Sequence, residues 1–97
     1  MSDIDRTAAV GDYLRGLQQR IMAAVEAADG TDCVRDAWSK EPHEPLQGSG
    51  LTCILEGGPL FERAGCGFSQ VRGPKLPPSA TQHRAQLAGA AFEAMGL

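Results

Sequence analysis

The chain has 97 residues, which allows one small domain, and a chain this short buries only about two-thirds of its unfolded surface. Nine basic and twelve acidic residues leave a net charge of −3, and the bases are spread along the chain. This excludes the basic footprint of a nucleic-acid binder and the polybasic run of an anionic-membrane binder, while 5% aromatics argue against a base-stacking platform.

No stretch approaches the roughly 20 apolar residues of a membrane span, and the start, Met1-Ser2-Asp3-Ile4-Asp5-Arg6, lacks the basic n-region of a secretory signal. Three cysteines, Cys33, Cys53 and Cys66, make an odd count. They read as reduced thiols, and the expected location is cytoplasmic.

In chain order, Val10, Leu14, Leu17, Ile21, Val25 and Ala28 recur at three- and four-residue steps and predict one amphipathic helix over 6–29. Asp12, Arg15, Gln18, Gln19 and Glu26 fall to its solvent side. Asp5 or Thr7 serves as the cap, and Asp29-Gly30 as the stop. Residues 30–50 show no period. Pro42 and Pro45 interrupt regular structure, Gln47-Gly48-Ser49-Gly50 reads as a flexible turn, and Trp38 is expected over the edge of a core.

From 51 the period changes to two. Leu51, Cys53 and Leu55 alternate with Thr52, Ile54 and Glu56; Gly57-Gly58-Pro59 is a turn; Ala64, Cys66 and Phe68 share a face of a second extended run. The pair predicts a β-hairpin. Gly65 and Gly67 suggest a bulge or a close backbone approach. A turn-rich link over 72–79 follows. Ser79 and Gln82 have capping-box spacing, and Leu87, Ala88, Ala91, Phe92 and Met95 predict a mostly helical segment over 80–95. The fold class is therefore α+β.

Chemistry candidates are sparse. Cys33, His43, Cys53, Cys66 and His83 match no zinc spacing, and scattered core thiols are the plainer reading. Gly65-Cys66-Gly67 begins a dinucleotide fingerprint, but Gln70 takes the third glycine's place. Pro74 and Pro77 form a PxxP spacing that reads as a rigid link. Cys66 with His83 as a nucleophile pair, or Glu56 with Glu62 as paired carboxylates, requires a convergence that spacing does not supply.

The run Leu55-Glu56-Gly57-Gly58-Pro59-Leu60-Phe61-Glu62-Arg63-Ala64-Gly65-Cys66-Gly67-Phe68-Ser69-Gln70-Val71-Arg72-Gly73 strongly resembles a signature of the oxygen-dependent coproporphyrinogen III oxidases of haem biosynthesis. So do Leu76-Pro77-Pro78-Ser79-Ala80-Thr81-Gln82-His83-Arg84 and Phe92-Glu93-Ala94-Met95-Gly96, and the N-terminal helix and Asp36-Ala37-Trp38 fit as well. The family pattern is L-E-G-G-x-x-F-E-K-A-G-V-N-F-S-x-V-x-G, followed later by F-E-A-M-G-V-S-L-V-I-H-P. Cys66-Gly67 departs from it by standing at the usual Val-Asn, and Ala85 stands where proline is common.

The resemblance implies a large antiparallel sheet flanked by helices, a homodimer, and oxidative decarboxylation of coproporphyrinogen III to protoporphyrinogen IX. Dioxygen is the oxidant; no organic cofactor is implied, and a divalent metal is left open. Residues 1–97 are expected to be the N-terminal part of a single domain, with about two strands of its sheet. They stop before the family's substrate serine and its H-x-N-x-R segment, so no catalytic residue is assigned within them and the chain alone is expected to be inactive. The alternative is a non-enzymatic remnant or dimerising interaction module. By the same resemblance the dimer interface falls on Ile54, Leu55, Glu56, Gly57, Gly58, Pro59, Leu60, Phe61, Glu62 and Arg63. The apolar Ile54, Leu60 and Phe61 around a turn agree with that placement, and Phe61→Asp is expected to weaken self-association.

Overall fold

A computed structural model describes residues 3–75, 79, 82–84, 86 and 89–97. One helix, α1 (Asp3–Asp29), is followed by four strands, β1 (Val34–Ser39), β2 (Gln47–Glu56), β3 (Arg63–Gly73) and β4 (Phe92–Gly96). All neighbours pair antiparallel in the order β1-β2-β3-β4, with α1 packed on β3. The α+β class holds. The sheet carries four strands rather than two.

The helix begins at Asp3, so Asp5 and Thr7 lie inside its first turns rather than capping it. It ends as expected: Gly30 has φ +84° and its amide donates to the Glu26 carbonyl at 2.8 Å, a left-handed stop. The buried face, however, is rotated from the apolar stripe. Gly11, Gln18, Met22 and Asp29 are buried, whereas Val10 is 47% and Ile21 39% exposed. Gln18, placed on the solvent side by its polarity, is fully buried. Its Nε2 donates to the Leu51 carbonyl at 2.7 Å and the Cys66 carbonyl at 2.8 Å, tying the helix to β2 and β3. Glu26 is likewise engaged, accepting from the Cys33 amide at 2.8 Å.

The hairpin follows the period-two pattern. Cys53 and Leu55 are buried against Met22 and Cys33, with Leu51, Ala64 and Cys66 partly buried around them, and Phe68 is buried too. Arg15 lies over the Phe68 ring, 4.6 Å from its centroid.

Three expectations are corrected by strand pairing. Val34–Ser39 is a strand, held by the Val34↔Ile54 to Ser39↔Ser49 register. Gln47-Gly48-Ser49-Gly50 is the start of β2, not a turn. The turn precedes it, where Lys40 N–H donates to the Gly48 carbonyl and the Gln47 amide side chain donates to the Glu41 and Glu44 carbonyls. Within the segment expected to be helical, Phe92–Gly96 is β4, paired to Ser69–Gly73. Gln82 and His83 form a turn, Gly89 is a turn glycine, and residues 80, 81, 85, 87 and 88 lie outside the described residues. The Phe92-Glu93-Ala94-Met95 spacing fits either period, and an open edge on β3 decides for the strand, since pairing overrides a weak propensity. Trp38 is half-buried and lies against Gly50, its cross-strand partner, as expected of an edge position.

Gly67 faces open space, so the close approach read from Gly65 and Gly67 is absent at Gly67. It belongs to the sheet face turned away from α1. The Cα radius of gyration is 16.6 Å, against about 13 Å for a compact 100-residue domain.

Candidate functional site

The interface residues assigned from the sequence surround the β2–β3 connection, and the loop is built by its own composition. Pro59 fixes φ at the first central position of the apex, with Leu60 second. Below them Gly58 N–H donates to the Phe61 carbonyl at 3.1 Å and Gly57 N–H to the Glu62 carbonyl at 3.0 Å. This leaves the Leu60 and Phe61 amides at the tip.

Both go to one carboxylate. Asp29 Oδ2, at the end of α1, accepts from Leu60 N–H at 3.1 Å and Phe61 N–H at 2.7 Å. Asp29 is 5% exposed, and the Phe61 amide bond holds its carboxyl below the ordinary range despite the opposing effect of burial. A Cβ on Gly58 would collide with this carboxylate, so glycine is required there by close approach. Among the described residues, two buried oxygens, Asp29 Oδ1 and Gln18 Oε1, have no hydrogen-bond partner.

The ten assigned residues divide sharply. Leu60 is 61% exposed, and Pro59 and Glu62 are exposed beside it. Glu56 and Arg63 form an exposed ion pair at 3.1 Å. Ile54 is half-buried and pairs with Val34 and Gly65 on the face away from α1. Leu55 points the other way, is 1% exposed and belongs to the core. Phe61 is half-buried against that core, so a charge there would disturb packing as well as any contact. An open cleft of about 560 Å³ is lined by Glu56, Leu60, Phe61, Glu62 and Arg63.

Glu56 and Glu62, the carboxylate pair read from the sequence, both line this cleft. Glu56, proposed as half of a carboxylate pair, is engaged by Arg63. His83 is exposed on its turn, and the thiol of Cys66 is raised by burial and then by its neighbour Cys53, so it is a protonated, poorly nucleophilic group. Cys33 is raised by burial and by Glu26. All three cysteines are free. Among the described residues no three His, Cys, Asp or Glu side chains come together as for a metal ion, and no helix is long and apolar enough to cross a membrane. A second open cleft, about 460 Å³, lies between α1 and the β3–β4 edge with Gly11, Arg15, Gln70 and Glu93 on its walls.

Sequence reasoning missed Asp29 and Gln18 as positioning residues. A signal existed for the first: a carboxylate at a helix C-terminus opposes the helix dipole and implies other employment. For the second, only its place in the 11-18-22-29 row would have shown it. A family model described as coproporphyrinogen III oxidase matches residues 9–97.

Proposed function

This chain belongs to the coproporphyrinogen III oxidase family, and on that footing we propose that it is the N-terminal scaffold of an oxygen-dependent coproporphyrinogen III oxidase, a cytoplasmic homodimer. The observation that carries the reading is the match across 9–97, which spans α1 from residue 9 onward and all four strands. In the proposed reaction two propionates become vinyls. Each loses CO₂ and a hydride equivalent, and dioxygen accepts the electrons without an organic cofactor.

The role of these 97 residues is architectural. A tetrapyrrole bearing four carboxylates needs fixed cations around it. Three of the described arginines are committed elsewhere: Arg15 covers Phe68, Arg35 bonds Gln19 and Glu26, and Arg63 pairs with Glu56. The chain instead offers a four-stranded sheet and a hairpin tip held by Asp29. We place the subunit contact at that tip, through Leu60 and its exposed neighbours rather than through Leu55. A dimerising module without chemistry is the second reading, favoured by the same scattered cations.

The test is conversion of coproporphyrinogen under air and under argon, with products separated chromatographically. The protein from the intact reading frame is compared with residues 1–97. Vinyl product from the intact protein in air, none under argon and none from residues 1–97, is the expected result. Product from residues 1–97 would overturn the architectural role; none from the intact protein would leave the dimerising module.

A further inference from the structure

Cys53 and Cys66 stand directly opposite each other on β2 and β3, on the side facing α1. The kind of pair is fixed by the loop. Gly57 and Glu62 are joined by a ladder bond, and Cys53↔Cys66 lies four positions down the same register, so it too is a hydrogen-bonded pair. Such pairs have Cα atoms about 5.5 Å apart, inside the roughly 4.4–6.8 Å that a disulfide spans, while their Cβ atoms, about 4.5–5.5 Å apart, must close toward the roughly 3.5–4.5 Å of the bonded pair. The Cys66 backbone is further held by Gln18, which bonds its carbonyl. Cys33 is differently placed. It precedes the Val34↔Ile54 pair, which puts it opposite Leu55 and diagonal to Cys53. Diagonal cross-strand neighbours are about 7–8 Å apart, beyond that span.

We propose that Cys53 and Cys66 are a dithiol modification site, oxidised by a hydroperoxide to an intramolecular disulfide across β2 and β3 while Cys33 stays reduced. Cys53 is fully buried and Cys66 half-buried, so Cys66 is the thiol that meets oxidant first. Its sulfur attacks the peroxide: an S–O bond forms, the O–O bond breaks, and one water leaves with hydrogen peroxide as oxidant. Cys53 sulfur then attacks the Cys66 sulfenic acid; the S–S bond forms, S–O breaks, and a second water leaves. Two thiols lose two electrons and two protons, and one peroxide becomes two waters. Because burial raises the Cys66 pKa, the thiol reacts through its minor thiolate form, and the oxidation is slow and needs excess peroxide.

The experiment uses the chain with hydrogen peroxide, an alkylating quench and non-reducing peptide mapping by mass spectrometry. The expected product has no covalent link between chains, joins the Cys53 and Cys66 peptides with the loss of two hydrogens, carries Cys33 alkylated, and reverts with dithiothreitol. Cys33→Ser should give the same cross-link and Cys66→Val none. The urea-unfolded chain serves as reference and should give mixed pairings. Recovery of Cys53 and Cys66 alkylated or over-oxidised, a disulfide to Cys33, or the same mixture from folded and unfolded protein would overturn the proposal.

Discussion

Asp29 joins the end of α1 to the apex of the hairpin by accepting two amides from residues more than thirty positions away. Glu26, one turn earlier, accepts the Cys33 amide and pairs with Arg35 at 3.4 Å. The Cys33 amide bond, then Arg35, holds the Glu26 carboxyl below its ordinary 4.5; the Phe61 amide does the same for Asp29 below its ordinary 3.8. For groups with a depressed folded pKa, the stabilisation is present above the ordinary value and is lost as pH falls through the folded one. Thermal midpoints should therefore fall on acidification from about pH 5 downward. Asp29→Asn should start lower at neutral pH and show a flatter acid limb; an acid limb as steep as wild type would remove Asp29 from this role. Gln18 acts by donation only, so Gln18→Glu, which cannot donate when ionised, should destabilise more than Gln18→Met in urea titrations. The reverse order would mean that the two carbonyl bonds contribute little.

Among the elements, α1 was legible in the sequence but its orientation was not. The apolar stripe through Val10, Leu17 and Ile21 is the natural choice for a core face, and Gln18 and Asp29 look like surface. Their hydrogen bonds to strand and loop backbone reverse this, because a buried polar side chain is tolerated when it satisfies backbone groups that would otherwise lack partners. The hairpin was readable because alternation and the Gly-Gly-Pro turn are local signals. β1 and β4 were not, since each is an edge strand defined by its partner: β1 carries Arg35 and Asp36, and β4 has a spacing that also suits a helix. The corrected helix frame makes a sharp contrast. Met22→Ala should cost about 2–5 kcal/mol as a core truncation, while Ile21→Ala should stay within about 0.5 kcal/mol as a surface change. Equal effects in denaturant unfolding would return the core to the apolar stripe.

At the scale of the molecule, the described residues form four strands with one long helix packed on β3, and the radius of gyration is 16.6 Å. The family was legible because the signature run coincides with β2, the loop and β3, where sequence and backbone geometry constrain each other most. The proposed subunit contact is narrower than the contiguous run read from the sequence, because residues along a hairpin alternate inward and outward. Leu55 and Phe61 serve the core, and Leu60 is the large apolar side chain at the tip that faces solvent. The Cys66→Ser and Cys53→Ser changes belong here too. Each should lower stability modestly and leave turnover of the intact protein in place, measured by vinyl product per chain; loss of turnover with the fold intact would make a thiol part of the chemistry.

The claim that this part of the chain is a scaffold presenting a subunit contact is tested most directly by sedimentation velocity of the intact protein with and without Leu60→Asp. Wild type should sediment as a dimer and the variant as a monomer at the same concentration, with an unchanged circular dichroism spectrum. A variant that remains dimeric, or a wild type that is monomeric throughout, would contradict the account.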